Sequence, residues 1–242
     1  MSKNFEILQR SAETELFIPA GLTTPLPVPP PAFAKTRADD EIASLVQRLF
    51  LHAGQDEGPR VVSFSGIARD KRSSWICAHA GRALAAQTND SVCIVDANLW
   101  SPQLHVHFST GNSNGLADAL TGEGAIRGFA SPLSIGDLWL MPSGRVNSDP
   151  SWQVDHCRAR FAELREEFGY VLISAPPLTR EPEAILMGQL ADGIVMIVEA
   201  NQTRREAARR ARERLEHSQV QVLGAVLDER TFPIPDFVYR KL

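Results

Sequence analysis

The chain has 242 residues, of which 43% are hydrophobic, and a formal net charge of −4 at pH 7, which together predict one large domain with a hydrophobic core. This acidic balance excludes a globally basic surface of the kind that binds nucleic acid or an anionic membrane. No apolar run approaches the ~20 residues of a membrane-spanning helix, no signal peptide is recognisable, and the scattered cysteines form no Cys-x-x-Cys pair, so we expect a cytoplasmic protein with buried, reduced thiols.

Residues 1–38 are predicted to form a flexible, proline-rich segment separate from the rest of the chain. Five of the seven positions from Pro25 to Pro31 are proline. Such a run does not fit inside a helix or a sheet, and it favours an extended polyproline II conformation. Two interpretations remain open for it: a stiff linker, or a ligand for an SH3-like domain.

An α/β domain is predicted over residues 39–242, and it begins with a helix over residues 39–53. Asp39 or Asp40 is the predicted N-cap of that helix, whose apolar residues recur at spacings of three and four. Beyond it, the predicted strands are 61–65, 91–97, 137–142, 170–177, 192–200 and 220–227, and the predicted helices are 73–87, 151–168, 181–190 and 204–217, with short helices near 115–120 and 125–130. This alternation predicts a mainly parallel sheet with helices on both faces.

The loop between the first of these strands and the helix after it has the place and length of a phosphate-binding P-loop. Ligands bind at the carboxyl ends of the strands in such sheets, and a P-loop reads Gly-x-x-x-x-Gly-Lys-Ser/Thr. The helix register puts Arg72 at the second glycine, Ser73 at the lysine and Ser74 at the hydroxyl that binds Mg²⁺. Lys71 lies two residues before the lysine position, and a shifted loop would let Lys71 or Arg72 supply the missing charge. Arg72 is also expected to crowd the phosphate and to impose an unsuitable φ.

Several segments, in this order, resemble the cytoplasmic domain of the bacterial tyrosine kinases (BY-kinases). The most specific are DANLWSPQLH, the APP that closes a strand, and the TRREAARRA helix, and the resemblance covers about residues 40–232. BY-kinases belong to the deviant-Walker P-loop ATPases, as do the MinD/ParA-like partition ATPases. The resemblance therefore implies a P-loop NTPase fold of that type.

Two of the residues that the family uses for Mg²⁺ are retained. In the first motif, which ends in Gly-Lys-Ser/Thr, only the hydroxyl of Ser74 survives. The second motif, Asp-x-Asp-x-Arg after an aliphatic strand, falls on Asp96, Asn98 and Trp100. The resemblance implies that Asp96 is a catalytic and Mg²⁺-binding carboxylate, here vestigial because its neighbours are replaced. From the residues alone another interpretation is equally open, in which Asp96 is a hydrogen-bonded carboxylate that caps a helix.

Other residues of the family's chemistry are missing. The third motif, Asp-x-Pro-Pro, begins at Ser174, so a metal-positioning carboxylate is lost, and the family's C-terminal tyrosine cluster is reduced to Tyr239. Phosphoryl transfer depends on positioned charge, and each lost donor costs on the order of 10²–10³ in rate. ATP/ADP and Mg²⁺ are the cofactors that the family implies, and these losses count against both.

The resemblance implies a role in capsular or exopolysaccharide biosynthesis, and the losses favour a non-catalytic scaffold or regulator. The alternative is an ATP-binding tyrosine autokinase or ATPase with an atypical P-loop. A third hypothesis is a protein that binds nucleotide as a switch without hydrolysing it. The implied partners are a membrane chain-length regulator or an active BY-kinase, which would recruit the chain to the inner face of the plasma membrane, and a second copy of the chain. No nucleic-acid partner is expected.

Three further features bear on function, and the first two each have two interpretations. His105 and His107 alternate as a metal pair does, but no third ligand is apparent, and packing is favoured. The arginine-rich helix 204–214 is either a solvated face with i,i+4 ion pairs, which is favoured, or a face for an acidic partner. Glu41 and Arg48 partly match the charged helix with which the family packs its subunits.

Overall fold

The computed structural model describes residues 37–51, 58–68, 72–145, 153–179 and 182–228. The strands are β1 (Val61–Gly66), β2 (Val92–Asp96), β3 (Ser131–Pro132), β4 (Leu138–Met141), β5 (Tyr170–Ser174), β6 (Gly193–Glu199) and β7 (Val222–Asp228). The helices are α1 (Arg37–Phe50), α2 (Arg72–Ala85), α3 (Leu104–His107), α4 (Leu116–Thr121), α5 (Val154–Glu167), α6 (Glu183–Leu190) and α7 (Arg205–His217), and a 3-10 turn covers Ile126–Phe129.

The strands form one sheet in the order β3-β4-β2-β5-β1-β6-β7. Only the β3–β4 pair is antiparallel among these described strands. Their side chains alternate between the two faces, so that Val62 and Phe64 pack in a cluster with α1 and α2, while Val61 packs in a cluster with α4 and α5. Residues of α6 and α7 cover β6 in a third cluster. The predicted fold class, a mainly parallel sheet with helices on both faces, is confirmed.

Helix α2, which leads from the predicted P-loop, lies very close to β2. A side chain at Gly81 would collide with Ile94 of β2, so glycine is needed at this point of α2. Helix α2 starts shortly after the carboxyl end of β1, so its first turn lies on the side of the sheet where the site was predicted.

Some predicted bounds are wrong. Helix α1 begins at Arg37, so Asp39 and Asp40 lie inside its first turn and neither is the N-cap; acidic residues there still favour the helix through its dipole. The strand predicted over 170–177 ends at Ser174, and Pro176 and Pro177, which follow, have no N–H to donate to a ladder. Strand β3 and helix α3 were missed because segments of two and four residues carry no periodicity.

Several predictions fall on residues outside the described ranges. These are the proline run 25–31, Lys71 and Tyr239. The three cysteines of the chain are all buried, and burial raises the pKa of the Cys77 and Cys157 thiols. Within the described ranges no helix has both the length and the apolar character that a bilayer span requires.

Candidate functional site

The three predicted motifs meet along the side of the sheet where the carboxyl ends of the central strands β1, β2 and β5 lie next to one another. Asp96, the last residue of β2, is opposite Ser174, the last residue of β5. Ser174 is also opposite Phe64 of β1, two residues before that strand ends. Helix α2 begins at Arg72, shortly after β1. The parallel topology therefore assembles the predicted site as expected for this class of sheet.

Asp96 is fully buried, and its carboxylate accepts three backbone hydrogen bonds. The N–H of Asn98 donates to Oδ1 at 3.3 Å, and the N–H groups of Gln103 and Leu104 donate to Oδ2 at 2.9 Å each. Leu104 is the first residue of α3 and Gln103 is the residue just before it, so the Asp96 carboxylate caps the start of that helix. This geometry is that of the helix-cap interpretation of Asp96, and it does not test the other interpretation.

Burial raises the pKa of Asp96 to about 6, although the bonds from Leu104, Gln103 and Asn98 each lower it. A carboxyl group without a nearby cation is costly to ionise away from water. Among the described contacts of Asp96, the groups that stabilise its charged form are these three backbone N–H groups. Both of its oxygens are already engaged.

The hydroxyl of Ser74, predicted to bind Mg²⁺, is bonded to a histidine. Its Oγ lies 3.2 Å from Nε2 of His107, the last residue of α3. Burial and the nearby His79 and His105 lower the pKa of His107, which favours the neutral ring, and the tautomer decides which partner donates. The bond ties the first turn of α2 to α3. His107 was not predicted to take part in the site in this way.

Arg72, at the position of the second P-loop glycine, forms a bidentate ion pair with the end of β7. Its Nε and Nη2 donate to the two carboxylate oxygens of Asp228 at 2.7 and 3.1 Å. The guanidinium also lies 4.6 Å from the centre of the Trp75 ring, which stacks on His79. Arg72 is the first residue of helix α2.

The remaining predicted residues lie around these contacts. Ser73, at the position of the family's lysine, is buried in the first turn of α2. The side-chain oxygen of Asn98 accepts the N–H of Ser101 at 3.3 Å, and Trp100 is 52% exposed. In the part of the chain that the structure describes, no three His, Cys, Asp or Glu side chains are grouped to hold a metal ion.

The residues that the structure describes at this site do not fit a Mg²⁺–nucleotide held as in a working P-loop site. Mg²⁺ takes oxygen ligands, usually one or two carboxylates. The position opposite Asp96 is Ser174, so these two strand ends supply a single carboxylate, and that carboxylate already accepts three backbone N–H groups. The described part of the site can cap, bridge and hold elements together, and it offers no positioned charge to a phosphoryl group.

A groove of about 430 Å³ opens beside the Arg72–Asp228 pair, between α1, α2 and β7. Its floor is mostly apolar, and Glu41 and Arg48 of α1 stand among its lining residues. The sequence did not predict this groove, because it depends on packing α1 next to the last strand of the sheet.

The arginine-rich helix α7 forms ion pairs with its own glutamates. Arg209, Arg210 and Arg212 pair with Glu213, Glu206 and Glu216, each four residues away, at 3.7, 3.9 and 2.7 Å. The favoured interpretation, a solvated face with i,i+4 pairs, is confirmed for these three arginines.

Similar proteins were found by sequence, although no protein-family model matches the chain. Tyrosine-protein kinase wzc of Salmonella typhimurium is 27% identical over 172 residues, which are 69% of this chain and 24% of that protein. Tyrosine-protein kinase YwqD of Bacillus subtilis is 23% identical over 180 residues, which are 69% of this chain and 76% of that protein. The chain thus spans about a quarter of the length of the Salmonella kinase.

Solved structures give the same fold. The chimerical protein CapA2B2 has a TM-score of 0.74 at 20% identity and covers 82% of this chain and 87% of its own. The VpsO kinase domain has a TM-score of 0.71 at 18% identity, and the match covers 80% of this chain and 97% of the VpsO chain. The MinD cell division protein of Aquifex aeolicus has a TM-score of 0.60 at 17% identity, and the match covers 75% of this chain and 73% of that one. The chain is therefore a relative of the bacterial tyrosine kinases, with the P-loop fold that these kinases share with MinD-type proteins.

Proposed function

We propose that this chain is a catalytically degenerate relative of the BY-kinases that acts as a scaffold or regulator in capsular or exopolysaccharide biosynthesis. The observation that carries the proposal is the bonding of Asp96. This carboxylate stands where the family places a catalytic Mg²⁺ ligand, yet its two oxygens accept the N–H groups of Asn98, Gln103 and Leu104. A metal ion at Asp96 would have to share the carboxylate with the three bonds that hold the start of α3.

The other substitutions support the same conclusion. Phosphoryl transfer relies on positioned cations and donors that stabilise charge in the transition state. Ser73 stands at the position of the lysine and Ser174 at that of the third-motif carboxylate, and both are buried. Each such loss costs on the order of 10²–10³ in rate, so together they would leave little catalysis.

Among the residues that the structure describes here, the cation at the start of α2, Arg72, is also engaged. Arg72 would have to leave Asp228 and the face of Trp75 before it could meet a phosphate. Its ion pair has one partner with only 12% of its side chain exposed, so it is less screened than a fully exposed surface pair. Arg72 is thus a structural link between α2 and β7 in this proposal.

A nucleotide-binding protein is the second candidate, and Ser74 is the observation that favours it. The Ser74 hydroxyl lies in the first turn of the 14-residue helix α2, where helix dipoles favour anions. If ATP displaced the Ser74–His107 bond, the chain would be either a switch that binds without hydrolysis or an atypical autokinase or ATPase.

The proposed partners are a membrane chain-length regulator or an active BY-kinase, to which the chain would dock at the inner face of the plasma membrane. Helix α1 is the proposed contact, because the BY-kinases, which the sequence resembles, pack their subunits through such a helix. Glu41 and Arg48 are exposed on α1, while Ile42, Val46 and Phe50 are buried in the core. Charge reversal at Arg48 is expected to weaken this docking in a pull-down without unfolding the domain.

Calorimetric titration of the purified protein with ATP and Mg²⁺ distinguishes these functions. The non-catalytic proposal predicts no saturable heat. Binding without turnover would favour the switch, and binding with hydrolysis would favour the enzyme. The Ser74→Ala variant is the matched control, because heat that depends on Ser74 would identify the P-loop position as the binding site.

A further inference from the structure

The groove between α1, α2 and β7 presents apolar side chains that are only partly buried. Leu45 of α1, Trp75 of α2 and Val226 of β7 line it, and all three pack against the core on the α1/α2 face of the sheet. Two further lining residues, Ile42 and Ile76, are buried. The volume of about 430 Å³ lies within the ~300–1,000 Å³ of sites that hold small ligands. The groove therefore has room for a few apolar side chains of an occupant.

The last strand of the sheet ends in this groove. Val226 and Asp228 are lining residues, and Asp228 is the last residue of β7. The chain continues from that point with residues 229–242. The lining residues of α1 run from Ala38 to Arg48, a distance of about 15 Å at ~1.5 Å per helical residue, which about five extended residues also cover. The segment after β7 thus starts at the groove and is long enough to cross it.

The segment after β7 has the sequence ERTFPIPDFVYRKL, in which residues 232–239 are mostly apolar or aromatic. Phe232 and Ile234 each precede a proline, and a residue before proline favours extended over helical backbone. Pro233 and Pro235 have no N–H, so this part of the sequence is unsuited to a further sheet ladder. The Phe-Pro-Ile-Pro run thus offers two large apolar side chains on a backbone with few conformations to lose on binding.

From this arrangement we infer that residues 229–242 dock into the groove of their own chain, with Phe232 and Ile234 packed against Leu45, Trp75 and Val226. Such packing removes apolar surface of both the groove and the segment from water. A short covalent connection keeps the segment at an effective concentration in the mM range, so even a weak affinity fills the groove. A second copy or another protein would have to compete with that concentration.

The docked segment would also cover part of α1. Glu41 and Arg48, the exposed charged residues of the proposed partner contact, line the same groove. A partner that docks through α1 would then have to displace the segment. This consequence rests on the proposed function, whereas the docking of the segment does not, so each can fail without the other.

Cysteine cross-linking within one full-length chain is the first test. The three cysteines of the chain are all buried, so introduced cysteines would be the accessible thiols. Ser44→Cys places a thiol on the exposed side of α1 at the groove. Asp236→Cys places the second thiol in the segment and keeps both of its proposed anchors, Phe232 and Ile234.

The matched control pair is Val154→Cys with Asp236→Cys. Val154 is 44% exposed and belongs to α5, which packs on the other face of the sheet. With diamide we expect the pair at positions 44 and 236 to form an intrachain disulfide at least about tenfold faster than the control pair, because docking raises the local concentration of one thiol near the other. Mass spectrometry of the non-reduced monomer measures both rates.

A free peptide tests whether the two anchors hold the segment. In the full chain, Phe232→Asp with Ile234→Asp should vacate the groove. A fluorescein-labelled peptide of sequence ERTFPIPDFVYRKL should then bind this variant at least about tenfold more tightly than the parent in fluorescence anisotropy, because the parent's own segment competes. Thr231→Asp adds charge but keeps both anchors, so it should bind the peptide as weakly as the parent. Circular dichroism would verify that the variants fold.

Three results would overturn the inference. One is an intrachain disulfide that forms no faster from position 44 than from position 154. Another is a disulfide from position 44 that joins two chains in dilute protein, because a second copy would then be the occupant. The third is a peptide that binds the parent and the Phe232→Asp, Ile234→Asp variant equally, since the parent's segment would then not occupy the groove.

Discussion

The backbone N–H of Leu104 donates to the carboxylate of Asp96 at 2.9 Å, across eight residues of chain. This bond, with those from Gln103 and Asn98, makes the last residue of β2 the anchor of the loop that follows it. An aspartate at this place in a P-loop protein would be assigned to Mg²⁺ from its position alone. Its partners show a structural use for the same carboxylate.

Replacement of Asp96 should therefore destabilise the fold. In Asp96→Ala the three backbone N–H groups lose their acceptor, and we expect a loss of about 1–3 kcal/mol in the free energy of unfolding. Asp96→Asn keeps one oxygen acceptor and should lose less. Urea denaturation at pH 7 provides both values. An alanine variant as stable as the parent would mean that the cap is dispensable and that the buried charge is a net cost, as at a metal site.

Partial repair of the P-loop should restore binding more than catalysis. The double variant Arg72→Gly with Ser73→Lys supplies the family's glycine and lysine, so ATP affinity in calorimetry should rise. Turnover should stay low, because Ser174 and Asn98 still leave Mg²⁺ without its carboxylates. Arg72→Gly alone is the control for loss of the Asp228 ion pair. Turnover at ordinary kinase rates, ~1–100 s⁻¹, would show that the missing carboxylates are not required.

Asp192 lies at the opposite end of the parallel strands from the site. It should make the free energy of unfolding depend on pH. Its carboxylate accepts the N–H groups of Arg60 and Val61 at 2.8 Å each and Nη2 of Arg165 at 2.6 Å. Burial raises the pKa of Asp192, but these bonds and the Arg165 charge outweigh it, so the pKa is lowered on balance. The stabilisation is then present above the unfolded pKa of about 4 and is lost as the pH falls through the lower folded value.

Asp192→Asn should accordingly be less stable than the parent at pH 7, with a deficit that shrinks below about pH 4. Thermal unfolding from pH 7 to pH 2.5 measures this difference. Asp155→Asn, at a fully exposed carboxylate on α5, is the control and should show little change. A deficit for Asp192→Asn that is independent of pH would assign its effect to packing.

The sequence was sufficient for the fold because apolar strands and amphipathic helices alternate along it, and that pattern is local. The sequence also located the loops of the site, since the carboxyl ends of parallel strands all lie on the same side of the sheet. The contacts that decide the state of the site are not local. Ser74 and His107 are 33 residues apart, and Arg72 and Asp228 are 156 apart, so no spacing in the sequence predicts either pair.

The two interpretations of Asp96 illustrate the same limit. A buried aspartate at the end of a strand is compatible with both a metal ligand and a helix cap. The deciding feature is α3, whose four residues are too few to be recognised from periodicity. Once α3 is placed, the N–H groups at its start require an acceptor, and Asp96 accepts that of Leu104, its first residue, and that of Gln103, just before it.

The most direct test of the proposed function is incorporation of labelled phosphate from ATP in the presence of Mg²⁺. The purified protein is predicted not to phosphorylate itself on tyrosine, because the lysine position holds Ser73 and the third-motif carboxylate position holds Ser174. An active tyrosine-protein kinase of the wzc type, assayed in parallel, verifies the conditions. Incorporation on tyrosine that Asp96→Asn abolishes would contradict the account, since it would show that Asp96 is a working catalytic carboxylate.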